Sequence, residues 1–292
     1  MSKVKNKEVL DSYLAANKRN VVDLLLPILI WATVIVVFLN VKKIPFDFIS
    51  ENKVATRYFT KFLMMILFPI GVIYLFHKEK AKFGIHFPKF TASFRLSLRS
   101  YFVCGPAGIS FPIIAYLGWS FRDWYGTIVI SVFYCIGLIL VPLVTRNISN
   151  GRILETSNNR IKYFVILGLA TIGIAFLSYE KIPVLSKVLY YTFIVGFGEE
   201  LFFRGYLQSS FNTYFGKQFS IANVSFGWGL LLSALLFGLM HSLVTVPPTW
   251  PWAVFTFVLG LIFGYLREKD GSILSAVLLH AMADMPLAFI VQ

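Results

Sequence analysis

Glu199, Glu200 and Arg204 stand together in the run Gly198-Glu199-Glu200-Leu201-Phe202-Phe203-Arg204-Gly205, and His241, His280 and Asp284 follow further along the chain. All six lie in apolar sequence of the kind that crosses a membrane. An ionisable group at that depth costs roughly 2.5–3.5 kcal/mol even on lenient insertion scales, and persists where it faces a partner or a water-filled cavity. Carboxylates and imidazoles brought together in a poorly solvated place are equipment for moving protons. The chemistry they suggest is general acid–base catalysis.

Spacing assigns the parts. Residues four apart share a helix face, whereas neighbours are turned by about 100°. Arg204 therefore pairs with Glu200 rather than Glu199, which makes Glu200 an ionised, structural carboxylate. Glu199, beside a like charge in a dry place, is left to be the general base, with its proton affinity raised toward neutral pH. Phe237 and His241 are four apart, as are His280 and Asp284, so that Asp284 can orient the imidazole. Singly, each of these residues also has a structural explanation: a Glu–Arg pair staples a helix, and a lone buried histidine packs. Gly196, Gly198, Gly205, Gly238, Gly260 and Gly264 suit close helix packing. Five ionisable groups and an arginine on three apolar segments point to one site.

The elements that must position them are membrane spans. The chain has 292 residues, 57% hydrophobic and 17% aromatic, against about 45–50% apolar for a soluble domain. The formal net charge of +13 comes from Lys and Arg gathered between apolar runs, the pattern of cytoplasmic loops facing anionic lipid rather than of a nucleic-acid binder. Two cysteines, Cys104 and Cys135, make neither a disulfide framework nor a metal pair. The expected fold is all-α, a polytopic helical bundle of eight to nine spans. The spans read are Val21–Val41, Tyr58–His77, Tyr101–Gly118, Gly126–Thr145, Tyr163–Ser178, Leu185–Leu207, Phe226–Val244, Trp252–Leu266 and Ser272–Ile290.

The first of these reads as a retained span, not a cleaved leader, and the C-terminus carries no lipidation box. Lys78–Arg99, with aromatic residues among its cations, reads as a segment lying on the cytoplasmic headgroup surface, and His86 within it is given no catalytic weight. Arg122-Asp123 reads as a tight turn, Arg146–Lys162 as a basic loop, and Arg267-Glu268-Lys269-Asp270 as a charged turn. Residues 1–160 form an N-terminal part and residues 161–292 the reactive core. A bacterial plasma membrane with the N-terminus in the cytoplasm is the expected setting, with membrane lipids and a membrane-associated peptide or protein as partners, and no nucleic acid.

Glu199-Glu200-x-x-x-Arg204, Phe237-x-x-x-His241 and His280-x-x-x-Asp284, in that order and each within an apolar span, resemble the motif series of the CPBP intramembrane proteases. That family includes the CAAX prenyl endopeptidases of the Rce1 type and the bacterial Abi-type bacteriocin-processing or self-immunity proteins. The resemblance covers roughly residues 180–292 and implies an endopeptidase acting on a lipid-embedded, prenylated or leader-type peptide. It implies that Glu199 activates water, that His241 holds the water or shares its proton, and that Glu200 and Arg204 fix helix and charge. His280 and Asp284 would stabilise the oxyanion, for which an N–H or O–H donor is needed. An Asn in the last position, as in the CAAX endopeptidases, could donate; Asp284 must be protonated or act through His280. No cofactor is expected. The alternative is zinc on Glu199, His241 and His280, although no HExxH is present. The rival functions are a non-catalytic membrane scaffold and an ion-coupled transporter.

Overall fold

The computed structural model describes residues 21–41, 53–76, 80–86, 90–148, 169–171, 173–174, 177–178 and 181–290. Helix α1 is Val21–Asn40. Helix α2 is a continuous rod over 53–76 that runs through Lys53–Phe62, a π-helical stretch at Leu63–Leu67, and Phe68–Phe76. Helices α3 (Phe90–Tyr116) and α4 (Trp124–Thr145) pack on one another, joined by the turn expected at Arg122-Asp123. Most of Arg146–Lys162 and Tyr163–Ser178 lies outside the described residues. Helix α5 fills 183–215, opening on Pro183 and containing two π-helical stretches, Tyr190–Phe197 and Leu201–Leu207, that flank the Glu pair. A small hairpin, Phe219–Ile221 with Val224–Phe226, leads to α6 (Trp228–Leu243), α7 (Trp250–Asp270) and α8 (Leu274–Asp284).

This is the all-α bundle that the composition demanded. Among the described residues, five helices are long and apolar enough to cross a membrane: Val21–Asn40, Thr56–Phe76, Phe90–Tyr116, Trp124–Thr145 and Trp250–Asp270. Helices α6 and α8 are apolar but shorter. Close packing makes the site possible. A Cβ on Gly238 would lie 2.5 Å from the Ala253 carbonyl oxygen, so α6 and α7 touch backbone to backbone there. A Cβ on Gly198 would lie 3.1 Å from Met65 Cβ, which brings α2 directly against α5 beside the Glu pair.

Two readings of the sequence are corrected. Lys78–Arg99 is not one surface segment: its last ten residues open α3, with Ser93, Leu96, Ser97 and Ser100 buried and Phe94 turned outward. The serines are spaced for a helix face, and Ser97 Oγ donates to the Ser275 carbonyl at 2.8 Å. The aromatic and basic residues are only the outer side of that helix. Upstream, Phe83, Ile85 and His86 are buried, and the Gly84 carbonyl accepts the Ile273 amide at 3.1 Å.

Arg267–Asp270 is likewise not a solvated turn but the buried last turn of α7, ended by Gly271 at φ 73°. Three of its four charged side chains have close polar partners. Glu268 Oε1 accepts from Gln208 Nε2 at 2.7 Å and Asn212 Nδ2 at 2.6 Å, and Lys217 Nζ lies 2.5 Å from Glu268 Oε2. Arg267 donates to the Lys82 carbonyl at 2.8 Å, and Asp270 accepts from Ser93 Oγ at 3.0 Å. Composition alone reads four consecutive charges as exposed; their partners are spread over α3, α5, the loop before α3 and the loop after α5.

Asp123 caps α4, accepting from the Gly126 amide at 2.8 Å and from the Ser120 amide. The Gly126 N–H, helped by that of Ser120, holds the exposed Asp123 carboxyl below its ordinary value. A depressed carboxyl stabilises the fold above its unfolded value of about 3.9 and loses that contribution as pH falls through its folded value. Asp123→Asn keeps a cap but does not titrate. The melting difference between wild type and this variant in detergent is expected to be constant above about pH 5 and to shrink below about pH 4. A difference independent of pH down to the acid limit would contradict this.

Candidate functional site

Three elements carry the ionisable residues that the sequence singled out, and they converge. Helix α5 presents Glu199, Glu200 and Arg204, α6 presents His241, and α8 presents His280 with Asp284 on its last turn. Glu200 and Arg204 are completely buried, and Glu199 and His280 retain only 5% exposure. Helix α5 is π-helical on both sides of Gly198–Glu200, and such π-helical interruptions recur at functional sites.

The pairing expected within α5 is present: Arg204 Nε lies 3.2 Å from Glu200 Oε2. Arg204 also donates to Ser233 Oγ at 3.2 Å, and Ser233 in turn donates to the Phe203 carbonyl at 2.7 Å. The guanidinium sits 4.7 Å above the Phe237 ring, so an arginine buried from water faces a carboxylate, a hydroxyl and an aromatic ring, with Nη2 left without a hydrogen bond. The second Glu200 oxygen does something the spacing did not reveal. Oε1 lies 2.8 Å from His280 Nδ1, so Glu200 joins Arg204 on its own helix to His280 on α8. Asp284 is farther from the ring, with Oδ2 at 3.5 Å from Nε2. The carboxylate that orients His280 is therefore Glu200, with Asp284 at the other nitrogen. Phe263 stacks on the imidazole at 4.8 Å and fixes its plane.

His241 is held by its own helix. Its Nδ1 lies 2.8 Å from the Phe237 carbonyl oxygen, an acceptor only, so Nδ1 carries the proton and a neutral ring offers a lone pair at Nε2. That Nε2 lies 3.9 Å from Glu199 Oε2, and His280 Nε2 lies 3.8 Å from the same oxygen. Glu199 Oε2 is buried and makes no direct hydrogen bond. Polar atoms held just beyond hydrogen-bond reach of one another have the spacing that a single water bridges.

Sequence reasoning missed Lys61. Its Nζ lies 2.5 Å from Glu199 Oε1, with the lysine side chain 19% exposed and that of Glu199 only 6%. The premise that Glu199 has no cation of its own does not hold. The signal was weak: Lys61 stands near one end of the α2 span, one turn after Arg57, where a cation ordinarily reads as interfacial. Ser233 and Phe263 carry no such signal, since a serine and a phenylalanine in apolar helices are unexceptional.

Among the described residues, no group of three or more His, Cys, Asp and Glu side chains is arranged to hold a metal ion. Glu199, His241 and His280 face one another, but one Glu199 oxygen already carries an ammonium, which repels a second cation.

Residues 181–286 match the family model described as type II CAAX prenyl endopeptidase Rce1-like. That region resembles the Rce1-like family. The match spans a little over a third of the chain and takes in Glu199, Glu200, Arg204, His241, His280 and Asp284, while Lys61 lies outside it. No curated protein and no solved structure matches the chain. The Rce1-like family is one of proteases, and residues 181–286 are similar to it; the five long apolar helices are those of a multi-pass membrane protein.

Proposed function

We propose that the chain hydrolyses a peptide bond of a membrane-associated protein or peptide, prenylated or leader-type, by glutamate-activated water without a metal, in a bacterial plasma membrane. One observation carries the reading: Glu199 Oε2 is set between His241 Nε2 and His280 Nε2 in a site almost closed to solvent. Water among these atoms donates one hydrogen to Glu199 Oε2 and the other to His241 Nε2, leaving its oxygen lone pairs for the scissile carbonyl carbon. Attack transfers a proton to Glu199 and forms a tetrahedral oxyanion. Collapse breaks the C–N bond, and Glu199 returns the proton to the leaving amine.

His280 has a defined part in this scheme. Its Nδ1–H is committed to Glu200 Oε1, so the neutral ring has no N–H to offer at Nε2. Only the imidazolium donates there, and it has Asp284 on the same side to balance it. The oxyanion is thus met by a charged donor, of the kind whose loss costs about 10²–10³ in kcat. Glu200 and Arg204 keep this donor in place from beneath.

Comparison of wild type with Glu199→Gln, His241→Ala and His280→Ala in the native host tests the reading. Protein termini in membrane and secreted fractions are mapped by mass spectrometry. One set of cleavage products lost in all three variants is the expected result; unchanged termini in all three favour a scaffold instead. Activity of purified protein should also survive a chelator. Activity lost to chelation and restored by zinc would overturn the metal-free part.

A further inference from the structure

We propose that Lys61 is a positioning residue of this site, so that α2, outside the Rce1-like region, belongs to the reactive unit; the inference rests on reading Glu199 as the base. A carboxylate has two oxygens, and rotation about the terminal bond exchanges them freely unless one is tied. Lys61 Nζ ties Oε1 at 2.5 Å. The other oxygen is then directed at His241 and His280, 3.9 and 3.8 Å away. Without that tie, the carboxylate has no fixed direction relative to the two imidazoles.

Lys61 is itself placed with care. Tyr58, on the same helix, stacks on Tyr190 of α5 with ring centroids 4.3 Å apart, and its hydroxyl hydrogen-bonds to Ser186 Oγ at 3.0 Å. Arg57 donates to the Tyr190 hydroxyl at 2.9 Å. Lys61 Nζ lies 5.9 Å from the centroid of the same Tyr190 ring. On the following turn, Met65 packs onto Gly198, the residue before Glu199. These contacts fix the register of α2 against α5 on both sides of Lys61. A lysine serving only solubility or lipid contact needs none of them.

Purified variants are reconstituted with solubilised membrane proteins from a host strain that lacks the chain. The readout is the rate at which Glu199-dependent termini appear, with melting temperature in detergent followed in parallel. Lys61→Met keeps the length of the stem and loses the ammonium; it is expected to slow that rate by about 100-fold, the scale of an ångström-level misplacement of a reacting group, while still melting cooperatively. Lys61→Arg, which restores a cationic N–H donor, is expected to recover most of the rate. A role in helix packing alone would leave the Met and Arg variants alike. A Lys61→Met protein as fast as wild type, or a folded Lys61→Arg protein as slow as Lys61→Met, overturns the proposal. Glu199→Gln separates the two levels of inference: termini that persist in it undo the reading of the site, whereas termini lost in it and kept in Lys61→Met undo only the role of Lys61.

Discussion

Glu199→Gln is expected to abolish peptide-bond cleavage while leaving a folded protein. The substitution keeps the shape of the side chain, and its amide oxygen can still meet Lys61 Nζ, which now contacts Oε1 at 2.5 Å. What disappears is the oxygen that takes a proton from water. Removal of a positioned general base costs about 10²–10⁴ in rate, and more when the attacking water is also held by it, so the residual activity should fall below about one part in a thousand. Folding should suffer little, because Glu199 is joined to the protein through a lysine that is partly exposed and can turn to water. The check is the rate of product formation together with thermal melting in one detergent. A variant that keeps a tenth or more of the wild-type rate would remove Glu199 from the reaction.

Arg204→Ala is expected to do the opposite and fail first as a folded protein. Arg204 is completely buried, with Glu200 at 3.2 Å, Ser233 at 3.2 Å and the Phe237 ring at 4.7 Å. Truncation leaves the Glu200 carboxylate in a dry place with one of its two partners gone. Breaking a buried pair from one side costs about 3–5 kcal/mol, a large share of the stability of most domains. The yield of monodisperse protein should collapse, and the surviving fraction should melt at much lower temperature. Removing both charges tests the cause. Arg204→Met combined with Glu200→Gln should regain much of the stability, because paired buried charges can be replaced by uncharged groups of similar volume at little cost. It should not regain activity, because His280 then lacks its carboxylate. Equal losses of yield in Arg204→Ala and Glu199→Gln would contradict the division of labour between the two glutamates.

The part of this site that was legible in the sequence is the part written within single helices. Glu200 and Arg204 share a face because they are four apart, and three apolar segments bearing ionisable groups had to meet. The all-α bundle followed from composition and from the lengths of the apolar runs. What the sequence did not disclose lies between helices. The contact of Glu200 with His280 crosses from α5 to α8, and that of Lys61 with Glu199 crosses from α2 to α5. Helical spacing says nothing about either. The same reason explains the end of α7: Arg267, Glu268, Lys269 and Asp270 look like a solvated turn until Gln208, Asn212, Lys217 and Ser93 are brought to them from elsewhere in the chain. The start of α3 was obscured by its exposed Phe and Arg residues, although its serines already carried a helical period.

The proposed reaction has Glu199, placed against His241 and His280, make water attack a peptide bond inside the membrane. The most direct measurement incubates purified, reconstituted wild-type and Glu199→Gln protein with membrane proteins from a strain lacking the chain, and maps every new terminus. The account predicts a defined set of new termini with wild type and none with Glu199→Gln, at matched melting temperatures. The same termini from both proteins, or from neither, would contradict it.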